Sequence, residues 1–228
     1  MKPNLNEEKK LWKMGYKNVV GLDEAGRGPL AGPVTAGAVL VRQIPNSKFP
    51  ARNATHSVAG GQIPEVNDSK KLSAKKREEL FKIITKNKNI KWGIGIVSEK
   101  IIDKINIKNA AELAMVKAIK NLNSKFKIPN FQNDFLIIDG NNVKNLKLRT
   151  YNLKLIVGGD AKVFSCAAAS ILAKVTRDRI MLRYHKKYPK YRFDIHKGYP
   201  TKQHLKLIKK HGISKIHRKT FGPCRCLK

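Results

Sequence analysis

The apolar positions of this chain fall into short runs of two kinds. Lys17–Asp23 and Pro33–Val41 (Pro-Val-Thr-Ala-Gly-Ala-Val-Leu-Val) are β-branched and apolar and read as strands. Ile90–Val97 predicts a third strand, and Phe135-Leu136-Ile137-Ile138-Asp139-Gly140 a fourth. A run as continuously apolar as the fourth suits a central strand covered on both faces. Leu153–Val157 predicts a fifth, leading into Gly158-Gly159-Asp160. Between these runs the period lengthens to that of a helix. Ser73 as N-cap opens one to about Lys86, with Leu80, Phe81 and Ile84 on one face. Ile107–Leu122 is another, and its Ala110, Ala111, Ala114 and Ala118 allow close packing on a sheet. Phe164–Val175 is a helix rich in small residues. Arg177–Lys187 and Lys202–Lys210 are basic helices, the latter with Thr201 as N-cap and Gly212 past its end. Residues 43–66 hold prolines, a Gly-Gly pair and no apolar period, the composition of a long surface loop.

This order predicts an α/β fold, a mixed five-stranded sheet flanked by helices: the first strands pair as a meander and the later ones need helical crossovers. The division expected is a core over residues 1–176 and a small, basic helical C-terminal extension over 177–228 packed on it. A chain of 228 residues, 41% hydrophobic, has enough apolar material for one such core. No run reaches the ~18 apolar residues of a membrane span, and Met1–Lys13 is polar and charged, unlike a signal peptide. The odd cysteine count (Cys166, Cys224, Cys226) points to a reducing cytosol. Cys224-Arg-Cys226 has the wrong spacing for zinc and lacks a second pair.

Charge changes the picture. With 48 Lys+Arg against 16 Asp+Glu, the net charge is +32 and the sequence pI about 10.3. That predicts a polyanionic partner, most simply nucleic acid, although part of any lysine excess is only solvated surface. In so basic a chain, carboxylates at the ends of apolar strands stand out: Asp23-Glu24, Asp139 and Asp160. Ligand sites in open α/β sheets gather at strand ends. Four carboxylates crowded there cannot all ionise without a cation. Oxygen-only ligation suits Mg²⁺ or Mn²⁺, and two such ions are the standard device for in-line displacement at a phosphodiester. Taken singly, each acid also fits a turn, Asp-Gly being a common turn dipeptide. Of the others, Asp68 reads as a cap or turn, Asp178, between Arg177 and Arg179, as salt-bridged on a helix surface, and Asp103 and Asp194 as surface residues. The six histidines are scattered and read as surface or phosphate contacts.

Gly21-Leu22-Asp23-Glu24-Ala25-Gly26-Arg27-Gly28-Pro29-Leu30-Ala31-Gly32-Pro33-Val34 resembles the N-terminal signature of ribonuclease HII, the type 2 ribonuclease H. Further blocks match in family order: Asp68-Ser69-Lys70-Lys71-Leu72, Ile138-Asp139-Gly140, Gly159-Asp160, the run from Ala167 to Asp178, and Gly198-Tyr199-Pro200-Thr201. The resemblance spans about residues 17–220; the first block and the alanine-serine block are specific, whereas Asp-Gly alone is not. It implies a ribonuclease H-like fold and a cytoplasmic endonuclease, likewise implying a place in DNA replication and ribonucleotide excision repair. The implied partners are RNA–DNA hybrids and duplex DNA with embedded ribonucleotides, cut to leave 3′-hydroxyl and 5′-phosphate ends, by a monomer that binds no membrane. It also implies that Asp23, Glu24, Asp139 and Asp160 hold two Mg²⁺ or Mn²⁺ ions. Gly26-Arg27-Gly28 would read the 2′-hydroxyl and Tyr199 would sense the RNA–DNA junction.

Physics bears on those roles. The 2′-hydroxyl is what separates RNA from DNA, and a glycine loop offers backbone groups to it without a side chain in the way. Tyr199 equally fits core packing, and Arg27 a salt bridge to Asp23 or Glu24. Lys70, Lys71 and Lys174 are candidate phosphate contacts. The 43–66 loop is longer than a compact member needs, and the Cys224-Arg-Cys226 tail is unfamiliar. Two other readings remain open on the residues alone: a type 1 ribonuclease H that needs runs of ribonucleotides, and a non-catalytic nucleic-acid-binding protein, for example one associated with the ribosome.

Overall fold

The computed structural model describes residues 2–41, 43, 66–67, 69–128 and 134–226. Helix α1 (Asn6–Lys13) leads into β1 (Val19–Ala25) and β2 (Val34–Val41), then α2 (Ala74–Lys86), β3 (Ile90–Val97) and α3 (Glu99–Phe126). β4 (Phe135–Asp139), the short α4 (Leu146–Arg149) and β5 (Asn152–Ile156) follow. Then come α5 (Phe164–Lys187), α6 (Phe193–His196), α7 (Lys202–His211) and α8 (Gly222–Arg225). The strands form one sheet in the order β3-β2-β1-β4-β5. β1–β2 and β2–β3 are antiparallel, β1–β4 and β4–β5 parallel, so the expected mixed five-stranded sheet is present.

The strand period sorts the side chains into two layers. Val20, Leu22, Val34, Ala36, Ala38 and Leu40 face α3, where Ala110, Ala114, Ala118 and Leu122 meet them. Val39 and Val41 face the opposite layer, made of α2 and α5. On that side α5 lies flat on β1 because Gly21 has no side chain: a methyl group there would sit 2.4 Å from the Ser165 backbone carbon. The caps agree with the sequence, Ser73 accepting the Lys76 N–H and Thr201 the His204 N–H.

Two expectations change, and one helix is added. The helix read as Ile107–Leu122 is the second limb of α3. Asn106 breaks the regular backbone at φ 65° and caps that limb through Asn109 N–H, while the first limb, Glu99–Ile105, lacked the alanine stripe that marked the second. The helices read as Phe164–Val175 and Arg177–Lys187 are one, α5, since nothing at Thr176 stops it. α1, whose pattern is mostly charged, docks through Leu5, Leu11 and a fully buried Glu8. The 43–66 loop lies outside the described residues except for 43 and 66, and Asp68 lies outside them entirely.

Candidate active site

The register of the sheet assembles the acids. β1 and β4 run parallel with Leu22 opposite Ile138, so one residue further Asp23 comes level with Asp139. Both belong to the row that contains Val19 and Ile137, the row facing α5. Just past β5, a 3₁₀ turn (Gly159–Ala161) turns Asp160 toward them. One carboxylate oxygen from each of Asp23, Asp139 and Asp160 lies within 4.8 Å of the others. The Asp139 carboxylate accepts the Gly159 N–H at 3.1 Å and the Asp160 N–H at 3.4 Å, which ties the third acid to the second.

Glu24 does not join that trio. Its neighbours in the strand alternate faces, and its carboxylate pairs with Arg27 at 3.2 Å. The alternative role considered for Arg27 is therefore satisfied in this structure. Burial, then the charges of Glu24 and Asp139, push the Asp23 carboxyl well above the ordinary range. Burial also raises Glu24, against the pull of Arg27. Asp139 is raised first by burial and then, among the charges, by Asp160. Carboxyls raised by burial and by mutual repulsion in a pocket of oxygen donors are suited to a hard divalent cation, which compensates both. Lys70, read as a phosphate contact, sits on this cluster with Nζ 3.1 Å from Asp160 Oδ2.

Beside the acids, the 26–33 loop meets Tyr199. A methyl group at Gly28 would lie 3.9 Å from Tyr199 Cε1. The Leu30 N–H donates to the Gly198 carbonyl at 2.8 Å, joining the two segments. Tyr199 is 36% exposed, not a core residue. Lys174 Nζ and Arg177 Cζ each lie 5.6 Å from its ring centre. Lys174 itself is engaged by Asp178 at 2.7 Å. Asp178 is thus salt-bridged, but to Lys174 rather than to the arginines beside it. Arg179 turns instead to Glu78 and Arg177 turns inward.

What lies beneath the loop was not foreseen. Arg177 and Arg218 are fully buried, and among the described residues neither has a carboxylate partner. Arg177 donates to the carbonyls of Ala31, Pro33 and Lys197, each at 3.0 Å. Arg218 donates to Gly26 (2.7 Å), Arg27 (3.0 Å), Gly32 (3.0 Å) and Pro33 (3.1 Å). Gly26 is indispensable to this seat: its φ is +103°, and a Cβ would fall 2.2 Å from Arg177 Nε. Burial pulls Arg177 down to about 10 and Arg218 to about 9, so both stay charged at neutral pH. A planar guanidinium with five donors suits a loop with several carbonyls turned inward.

The histidines also depart from expectation. His196, His204 and His217, read as surface or phosphate contacts, are buried against Tyr191 and Phe193. Asp103 is a surface group as read, but it caps the C-terminal segment through Lys219 N–H and Thr220 N–H. Asp194 pairs with Arg192 and His185 at the surface. Among the described residues no helix is long and apolar enough to cross a membrane.

A family model described as Ribonuclease HII matches residues 20–224. The Ribonuclease HII of Endomicrobium trichonymphae is 46% identical over 216 residues, covering 95% of this chain and 90% of that one. That of Fusobacterium nucleatum is 48% identical over 214 residues, covering 92% and 88%. Among solved structures, ribonuclease H2 from Pyrococcus horikoshii OT3 superposes with a TM-score of 0.63 at 25% identity, covering 92% of this chain and 96% of that one.

Proposed function

Because the chain belongs to the ribonuclease HII family, and is thereby an endoribonuclease acting on the RNA of RNA–DNA hybrids, we propose that it also incises 5′ of single ribonucleotides embedded in duplex DNA. The observation that carries this reading is one juxtaposition. A trio of carboxylates within 4.8 Å of one another lies at the sheet end from which the glycine loop runs to Tyr199. Asp23, Asp139 and Asp160 would hold the divalent cations, with Glu24 completing the set once it leaves Arg27. Two bound Mg²⁺ or Mn²⁺ ions would supply Lewis-acid activation of water and charge neutralisation at the phosphodiester, consistent with 3′-hydroxyl and 5′-phosphate ends.

The protein's own part is recognition and placement. The Gly26–Gly28 backbone, its Gly26 and Arg27 carbonyls held from below by Arg218, would offer its remaining groups to the minor-groove edge where a 2′-hydroxyl projects. Tyr199 packs on the sugar that follows and leaves no space for a second hydroxyl. Lys70 and Lys174 exchange Asp160 and Asp178 for phosphates as substrate arrives. We assign the core to residues 1–176 and a basic extension to 177–228, with α5 running through both. The excess of 48 Lys+Arg over 16 Asp+Glu favours the duplex backbone as partner. A cytoplasmic monomer in replication-linked ribonucleotide repair completes the reading. The test is a labelled DNA duplex with one ribonucleotide, incubated with Mg²⁺ or Mn²⁺ and with a chelator control, and the ends mapped. Cutting 5′ of the ribonucleotide, abolished by chelator, is expected. Cutting only within runs of ribonucleotides would favour type 1 behaviour, and binding without cutting would favour a non-catalytic protein.

A further inference from the structure

Behind Tyr199 lies a set of buried imidazoles whose protonation is fixed by their partners. His217 Nδ1 accepts the Ser214 N–H at 2.8 Å, so its proton sits on Nε2. That nitrogen is 3.1 Å from His204 Nε2, which must therefore accept. His204 then carries its proton on Nδ1 and donates it to the Tyr199 carbonyl at 2.9 Å. His196 donates from Nε2 to the Tyr191 carbonyl at 2.8 Å, and its Nδ1 accepts the Gly198 N–H at 3.1 Å. The His196 and His204 rings stack at 4.2 Å between centres. Every ring nitrogen thus has a partner (His217 Nδ1 also has the Ser214 hydroxyl at 2.8 Å), and every direction between the rings follows from a main-chain group that can only donate or only accept.

We propose that His204 and His217 are positioning residues for ribonucleotide recognition: the one-way chain Ser214–His217–His204–Tyr199 holds the Tyr199 main chain so that its ring stays against Gly28. The chain fixes Tyr199 from the core side, while the Leu30–Gly198 bond fixes the same segment from the loop side. An added proton would break it: on His204 Nε2 it would face the His217 N–H, and on His217 Nδ1 it would face the Ser214 N–H. Burial holds His204 down at about 4 and His217 at about 3, which keeps the rings neutral. The inference rests on Tyr199 sensing the junction, as proposed above.

The tautomers can be read directly. Nitrogen-15 spectra of the wild-type protein labelled in histidine should show His204 protonated on Nδ1, the minor form in water, and His196 and His217 protonated on Nε2. A His204 resonance of the Nε2–H form overturns the chain without any variant. The functional arm compares cleavage of a single-ribonucleotide duplex with that of a long RNA–DNA hybrid. His204→Leu should lose about tenfold on the former relative to the latter. His204→Asn, whose amide nitrogen replaces Nδ1 as donor, should recover most of it. Equal losses on both substrates, or an Asn variant no better than Leu, reduce these histidines to packing. Tyr199→Ala separates the two levels. If it alters the substrate ratio while His204→Leu does not, the positioning inference fails alone. If Tyr199→Ala leaves the ratio unchanged, the sensing role falls and takes this inference with it.

Discussion

At the end of the sheet, Asp23, Asp139 and Asp160 stand within 4.8 Å of each other and repel. A few residues away, the loop that faces them rests on Arg177 and Arg218, which donate to its main-chain carbonyls. One region concentrates negative charge on rigid strand ends, and the other buries positive charge under irregular backbone. The contrast teaches where each kind of precision comes from. Strand register sets the spacing of Asp23 and Asp139, a turn held by the Asp139 carboxylate brings in Asp160, and their unfavourable charges stand ready for cations. The loop has no register, so it depends on donors that reach its inward carbonyls one by one.

The harshest test of the acidic half is Asp23→Asn. It preserves shape and removes one charge from the cluster, so hybrid binding should persist while turnover falls by about three orders of magnitude, the scale of removing one well-placed electrostatic group and more. Wild-type turnover at saturating Mg²⁺ would remove Asp23 from the site. On the other half, Arg218→Lys keeps the charge and loses the fork. A single ammonium cannot satisfy Gly26, Arg27, Gly32 and Pro33 together, and stranded buried carbonyls cost about 1–3 kcal/mol each. Chemical denaturation should register a loss of about 4 kcal/mol. A loss under about 1 kcal/mol would mean that charge, not geometry, holds the loop.

The same contrast explains what the sequence disclosed. The five strands, the two capped helices and the acids were legible because each rests on a short-range pattern: β-branched runs, an N-cap serine or threonine, a carboxylate at the end of an apolar stretch. The grouping of three acids without Glu24 follows from strand alternation and a pairing register that only the fold supplies. The seats of Arg177 and Arg218 were not legible, since their partners are main-chain carbonyls, which every residue has. The buried histidines were missed for a related reason: His196, His204 and His217 are 8 and 13 residues apart, with no ligand-like spacing, and converge only when α7 and the following turn fold back.

Helix α5 joins the two regions, with Ser165 and Cys166 against β1 at its start and Arg177 under the loop further along. Its first turn is held by Glu8 of α1. Glu8 Oε1 accepts the Ser165 N–H at 2.9 Å, while Oε2 and Ser165 Oγ have no hydrogen-bond partner among the described residues. Burial pushes this carboxyl from 4.5 to about 7. Between those values Glu8 binds its proton more tightly in the folded protein than in the unfolded chain, so its own contribution to stability falls as pH rises from about 4.5 to about 7. The rise corresponds to roughly 3 kcal/mol. Glu8→Gln keeps the oxygen that accepts Ser165 N–H and places an amide beside the unpaired Ser165 hydroxyl, with no charge to bury. It should match the wild type near pH 4.5 and exceed it by up to about 3 kcal/mol above pH 7 in denaturation midpoints. If the two proteins keep a constant difference across that range, Glu8 does not titrate as its burial requires. Its hold on the start of α5 would then be ordinary capping, and the link between the acids and the loop would have to be sought further down the helix.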